Sequence, residues 1–136
     1  MAGIHLQKLV HFTIPVTDLD RAEAFYTSLL GFAKLRRSPH MCFLRCGSDL
    51  FVLTRSEKPI DPNLPDRHEI HTAFLASGAD YDAALATLAA SGVRVFLEEN
   101  RASGTFQGRS AYFHDPDGNV LEVIDLANDP LAEAGA

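Results

Sequence analysis

Two histidines and one glutamate are the side chains best suited to share a metal ion: His11, His71 and Glu122. Two neutral imidazoles and one carboxylate satisfy a divalent first-row metal and leave coordination positions open for a substrate or for O2. Glu122 lies inside the apolar run Asn119-Val120-Leu121-Glu122-Val123-Ile124, where an unpaired carboxylate is expensive to bury. A cation would offset that cost. Side chains alternate between the faces of a strand, so His11 shares a face with Thr13, and Glu122 with Val120 and Ile124. A plainer reading stands beside this one: a strand-edge histidine is often only hydrogen-bonded, and Glu122 also fits a solvated strand face. Spacing alone leaves both open.

The elements that must carry these residues occur twice. Leu9 to Val16 is β-rich, Thr17 or Asp18 caps a helix that runs to Leu30, and Gly31 supplies its left-handed stop. Leu19, Ala22, Phe25, Tyr26, Leu29 and Leu30 recur at helical spacing. Strands are predicted near 32–36, 40–46 and 49–55, with a Gly47-Ser48-Asp49 turn between the last two. The second half repeats the order. His71 to Ala76 is a strand, a helix with a Leu85, Leu88 and Ala89 stripe ends at Ser91-Gly92, and strands follow near 93–98, 109–114 and 119–126. His71 falls 60 residues after His11, and Gly92 falls 61 after Gly31. The fold class is therefore α+β, two tandem β-α-β-β-β modules whose mixed sheets form one curved, cup-like surface. One functional domain is expected over 1–136, with modules at about 6–55 and 68–126, a linker at about 56–67 and a tail at 127–136. Pro59, Pro62 and Pro65 make that linker extended.

Composition narrows the partners. Twelve Lys and Arg against 18 Asp and Glu give a net charge of −6 in 136 residues, with no basic block. Nucleic acid is not expected, because binding its backbone relies on clustered positive charge. No apolar run approaches the roughly 20 residues of a membrane helix. Met1 to Leu6 lacks the basic and apolar regions of a signal peptide, which predicts a cytoplasmic protein. Cys42 and Cys46 would be about 13 Å apart on one strand, beyond disulfide reach, so both are read as reduced. Phe12, Phe25, Phe74 and Phe113 are assigned to the core, His68 is expected to face away from His71 on a continuous strand, and Arg109 is expected to pair with an acid.

Over about residues 8–126 the chain resembles the vicinal oxygen chelate superfamily. That group includes glyoxalase I, extradiol ring-cleaving dioxygenases, fosfomycin-resistance enzymes and bleomycin-resistance proteins. The resemblance is carried by Val10 to Val16, Asp18 to Ala22, Phe25-Tyr26, Leu30-Gly31-Phe32 and His71 to Phe74. Its most specific block is Gly108-Arg109-Ser110-Ala111-Tyr112-Phe113-His114-Asp115-Pro116-Asp117-Gly118-Asn119-Val120-Leu121-Glu122. It implies one divalent metal in the cup, held by His11, His71 and Glu122. Fe(II) or Mn(II) is expected, and Zn, Ni or Co would also be accommodated. A small-molecule substrate and a homodimer are implied as well, with the modules paired within one chain or between two.

The resemblance also sorts the chemistry. Glyoxalase I generally carries a fourth, carboxylate ligand where Val52 aligns, so lyase activity is not expected. Extradiol dioxygenases use a His2Glu iron site, and Tyr112 matches the tyrosine of their C-terminal signature, although Arg101 to Ser110 lacks their upstream histidine. Dioxygenase-like chemistry is the leading expectation. The alternative is a fosfomycin-type thiol transferase or epoxide hydrolase. In the transferase branch Thr13 matches the threonine two residues after the first histidine, and Ser110 and Tyr112 match a substrate-contacting serine and tyrosine; Thr13 and Tyr112 are the expected catalytic residues, Ser110 and His40 the expected substrate contacts. In the hydrolase branch His40 falls near the base. A metal-free drug-sequestering protein is the rival from another class. Arg101 to Gly108 is read as a polar flap.

Overall fold

The computed structural model describes residues 3–58 and 66–134. Its chain divides into two compact units, Met1–Ile60 and Asp61–Ala136. The three prolines of the expected linker lie outside the described residues.

The first unit runs β1 (His11–Val16), α1 (Leu19–Ala24), a π-helical turn (Phe25–Leu29), β2 (Ala33–Arg37), β3 (Met41–Cys46) and β4 (Asp49–Arg55). Asp18 caps α1, accepting a hydrogen bond from the Arg21 N–H. Leu19, Ala22 and Tyr26 recur three and four residues apart and form its buried stripe. The expected single helix to Leu30 is instead an α-helix that widens at Phe25. The Leu30 N–H reaches back five residues to the Phe25 carbonyl. Gly31 then adopts φ +77°, and the Phe32 N–H closes on the Tyr26 carbonyl at 2.9 Å, a left-handed stop as expected. That closure brings Phe32 and Phe51 against Tyr26, with ring centroids 5.7 and 5.4 Å away. The sheet order is β1-β4-β3-β2, with β1 parallel to β4 and the remaining pairs antiparallel.

The second unit repeats this plan. Its elements are β5 (Thr72–Leu75), α2 (Ala79–Ala90), β6 (Val95–Arg101), β7 (Gly108–His114), β8 (Val120–Leu126) and a short α3 (Pro130–Ala134) in the tail. The order is β5-β8-β7-β6, with β5 parallel to β8. Both units carry a register shift at the same place in the plan, between Lys34 and Arg36 and between Val95 and Leu97. Tyr81 and Leu88 are the buried residues of α2, whereas Ala89 is exposed. Arg109 anchors that helix to the sheet. Its guanidinium lies 2.8 Å from both Asp82 and Asp125 and 4.4 Å over the Tyr81 ring, the acidic pairing expected for it.

Gly108 opens β7 at φ +122°, and a Cβ there would collide with the backbone carbonyl of Asp125. Only glycine lets β7 approach β8 this closely. Phe113 is fully buried as expected, but Phe12 is 49% exposed. Phe12 points to the same face as Phe51, yet β1 is an edge strand and leaves it half covered. Both cysteines are free. Burial first, and the neighbouring Glu23 carboxylate second, push the Cys42 thiol up to about 11, so it stays protonated at neutral pH. No helix among the described residues is long and apolar enough to cross a membrane.

Candidate metal and substrate site

Strand register decides which side chains share a face. In the second unit Ala73, Glu122 and Tyr112 are neighbours across β5, β8 and β7. Leu75, Ile124, Ser110 and Glu99 form the next row on the same face. His71 immediately precedes β5 and carries that parity. A cavity of about 500 Å³ is lined from these rows by His71, Ala73, Tyr112, Glu122, Leu75 and Ile124, together with Arg101, Phe106 and Leu126.

Glu122 is the central charge, and its side chain is only 5% exposed. Its Oε1 lies 3.0 Å from His71 Nε2, and its Oε2 accepts a 2.6 Å hydrogen bond from Ser110 Oγ. His71 Nδ1 lies 2.6 Å from the His68 carbonyl. A carbonyl only accepts, so Nδ1 carries hydrogen and donates. Nε2 therefore faces the carboxylate either through a second proton or through a shared cation. The 3.0 Å separation is compatible with both: it is an ordinary N–H···O distance, and two donors about 2.1 Å from one ion at right angles also sit about 3 Å apart. The Nδ1–H bond to a backbone carbonyl also matches how ligating histidines are oriented. By donor chemistry, burial and spacing, this pair fits a divalent metal.

Among the described residues, no group of three or more His, Cys, Asp or Glu assembles to hold an ion. His71 and Glu122 form a two-member cluster. His11 belongs to the first unit, where it is exposed and its Nδ1 lies 3.1 Å from Thr13 Oγ1. Thr13 thus touches the ring of a candidate ligand. The row there is Thr13, Val52 and Phe43, the counterpart of Ala73, Glu122 and Tyr112. Val52, 1% exposed, occupies the place that Glu122 holds in the second unit. His40 lies in the exposed turn before β3, where its carbonyl accepts from the Arg55 N–H at 2.8 Å.

Ser110, expected to touch substrate, is fully buried instead. Its hydroxyl is shared between Glu122 and Arg101, whose guanidinium donates to it at 2.7 Å. Arg101 is the polar group that sequence reading missed. The expected flap begins at this residue, but β6 continues through it and aims its guanidinium at Ser110. Two further Arg101 bonds, to Glu99 Oε2 at 2.8 Å and the Phe106 carbonyl at 2.9 Å, fix the guanidinium.

His68 corrects another expectation. It packs on Tyr112 with ring centroids 4.7 Å apart, because β5 begins only at Thr72 and the preceding residues do not alternate. Tyr112 is also 5.5 Å from the His71 ring. Burial first, and the Glu122 charge second, push its phenol above the ordinary tyrosine value. Tyr112 is accordingly a neutral hydrogen-bond donor at physiological pH.

Residues 8–123 match the family described as the Glyoxalase/Bleomycin resistance protein/Dioxygenase superfamily. The chain is 32% identical to glutathione transferase FosA of Serratia marcescens over 87% of its length and 80% of that protein's. It is 30% identical to metallothiol transferase FosB of Shouchella clausii, covering 83% of this chain and 76% of that one. Fosfomycin resistance protein FosX of Listeria monocytogenes, solved with Mn(II) and sulfate, superposes with a TM-score of 0.76 at 22% identity. That match covers 97% of this chain and 100% of the other, and speaks for the fold. Both curated relatives are named as thiol transferases, where the leading sequence expectation was dioxygenase-like.

Proposed function

The chain belongs to the glyoxalase/bleomycin resistance protein/dioxygenase superfamily, and on that premise we propose that it is a metal-dependent transferase joining a thiol to a small oxygen-rich electrophile such as an epoxide. The observation that carries this reading is the His71–Glu122 pair, 3.0 Å apart beside a neutral Tyr112 in one cavity. The transferase names of the two curated relatives favour addition over ring cleavage. Val52 counts against glyoxalase I lyase chemistry, since an apolar residue there supplies no second carboxylate as ligand or base.

His71 and Glu122 would hold the ion, and His11, from the same chain or a second copy, would complete the set. One nitrogen-rich pair with a hard carboxylate suits Mn(II) or Fe(II). When bound, such an ion supplies Lewis-acid polarisation of a substrate oxygen. As the thiol sulfur bonds to carbon, the carbon–oxygen bond breaks, and the thiol's proton ends on the released oxygen. Tyr112 would hand its hydroxyl proton to that oxygen and be reprotonated by the one the thiol loses, so one proton moves in net. Leu75, Phe106 and Ile124 would pack the substrate's carbon skeleton and exclude water. Thr13 would orient His11 through its ring nitrogen. A homodimer accords with exposed Leu9, Val10 and Phe12 along the edge strand β1 and the residues before it.

The test incubates the purified protein with Mn(II), an epoxide phosphonate and glutathione, and follows adduct mass. Adduct formation that requires metal supports the reading. Oxygen uptake with catechols and no adduct would replace it with ring cleavage. Tyr112→Phe is expected to lower turnover about 10²–10⁴-fold, the range for a lost proton donor, while leaving Mn(II) affinity unchanged. Equal losses in both would instead make Tyr112 part of the ion's support.

A further inference from the structure

The buried hydroxyl between Arg101 and Glu122 has a forced direction. A guanidinium only donates, so Ser110 Oγ accepts from Arg101 at 2.7 Å, and its single proton goes to Glu122 Oε2 at 2.6 Å. The hydroxyl has no freedom to turn, because Ser110 is fully buried. Arg101 has none either, since Glu99 and the Phe106 carbonyl hold its other two nitrogens. Its charge lies a further 3.6 Å from the same carboxylate oxygen. Oε2 is thus engaged from inside the sheet, and Oε1 alone faces His71.

We propose that Arg101 and Ser110 form a positioning relay that reserves Oε2 of Glu122 and presents Oε1 as the one oxygen offered to a metal ion. Neither residue touches the ion. The relay rests on the metal-site reading above and adds what orders its carboxylate. Without it, Glu122 is free to rotate and its two oxygens become equivalent. Groups that orient a ligand in this way typically cost 10–100-fold in metal affinity when removed. The register explains why these residues meet. Glu99 lies beside Ser110 and Arg101 beside Gly108, so one short stretch of β6 supplies both the guanidinium and its counter-charge.

The experiment measures the Mn(II) dissociation constant of the full chain by the EPR signal of free ion, at fixed pH. Ser110→Ala is expected to weaken binding about 10–100-fold. Arg101→Met, at a partly exposed side chain, provides a second variant should the serine change disturb folding, and is expected to weaken binding by a smaller factor. Because the two act in series, the double variant should bind no more weakly than Ser110→Ala alone. Wild-type affinity in Ser110→Ala, or losses that multiply in the double variant, would overturn the relay while leaving the metal site in place. A wild-type protein that takes up no Mn(II) would overturn the metal reading itself, and the relay with it.

Discussion

Glu122→Gln should fold as the wild type does and lose Mn(II) affinity by more than about 100-fold, beyond what removing an orienting group costs. The amide oxygen keeps an acceptor for Ser110 Oγ, so the hydrogen bond beneath the carboxylate survives. What disappears is the negative charge opposite His71 Nε2, which lies 3.0 Å from Oε1. In a side chain only 5% exposed, that charge is screened by very little water, and no other carboxylate stands in the Ala73, Glu122, Tyr112 row. Metal-dependent turnover should fall to background with it. The check is a paired measurement of Mn(II) binding and thermal melting. Retained affinity would mean the ion, if any, is held elsewhere.

Gly108→Ala should be the most destabilising of the simple backbone tests. Its added Cβ collides with the Asp125 carbonyl, and φ +122° is a conformation that L side chains rarely adopt. Overpacking and backbone strain each cost about 1–3 kcal/mol, so the sum is about 2–6 kcal/mol. A small domain has only about 5–15 kcal/mol in total. The effect should also reach the site, because Gly108 pairs with Arg101 on one side and Leu126 on the other. Gly104→Ala is the control. It shares a positive φ, +91°, but nothing lies within 4 Å of its added Cβ, so only the strain is felt. Chemical denaturation of the two variants checks this, and equal midpoints would remove the close β7–β8 approach as the cause.

The element order and several helix stops were legible because they depend on local chemistry. Gly31 and Gly92 both adopt positive φ just past a helix, at 77° and 74°, as their sequence positions predict. Glu122 sharing a face with Ile124 was legible from strand parity, and the register adds Tyr112 and Ala73 beside it. The misses share a different cause. His68 and Arg101 were judged from assumed strand limits, and β5 starts later while β6 ends later than the pattern suggested. The role of Ser110 depends on which residue of β6 lies across from it, a register that no local pattern states. Phe12 has the parity of a core residue, but its exposure depends on β1 being an edge. The π-turn at Phe25 carries no capping signal and shows only in the Leu30 N–H bond to the Phe25 carbonyl.

The matching register shifts in β2–β3 and β6–β7 bear on ancestry. A strand irregularity is an unlikely thing to arise twice at one topological place, and its presence in both halves is what duplication of a single ancestral segment would leave. Since that event the halves have diverged unequally. One row carries a carboxylate and a phenol at Glu122 and Tyr112, and its counterpart carries Val52 and Phe43. Two hydrocarbon side chains stand where the other unit has oxygens. On that face the first half keeps His11 and Thr13 as its polar pair, and the row beside them serves as scaffold.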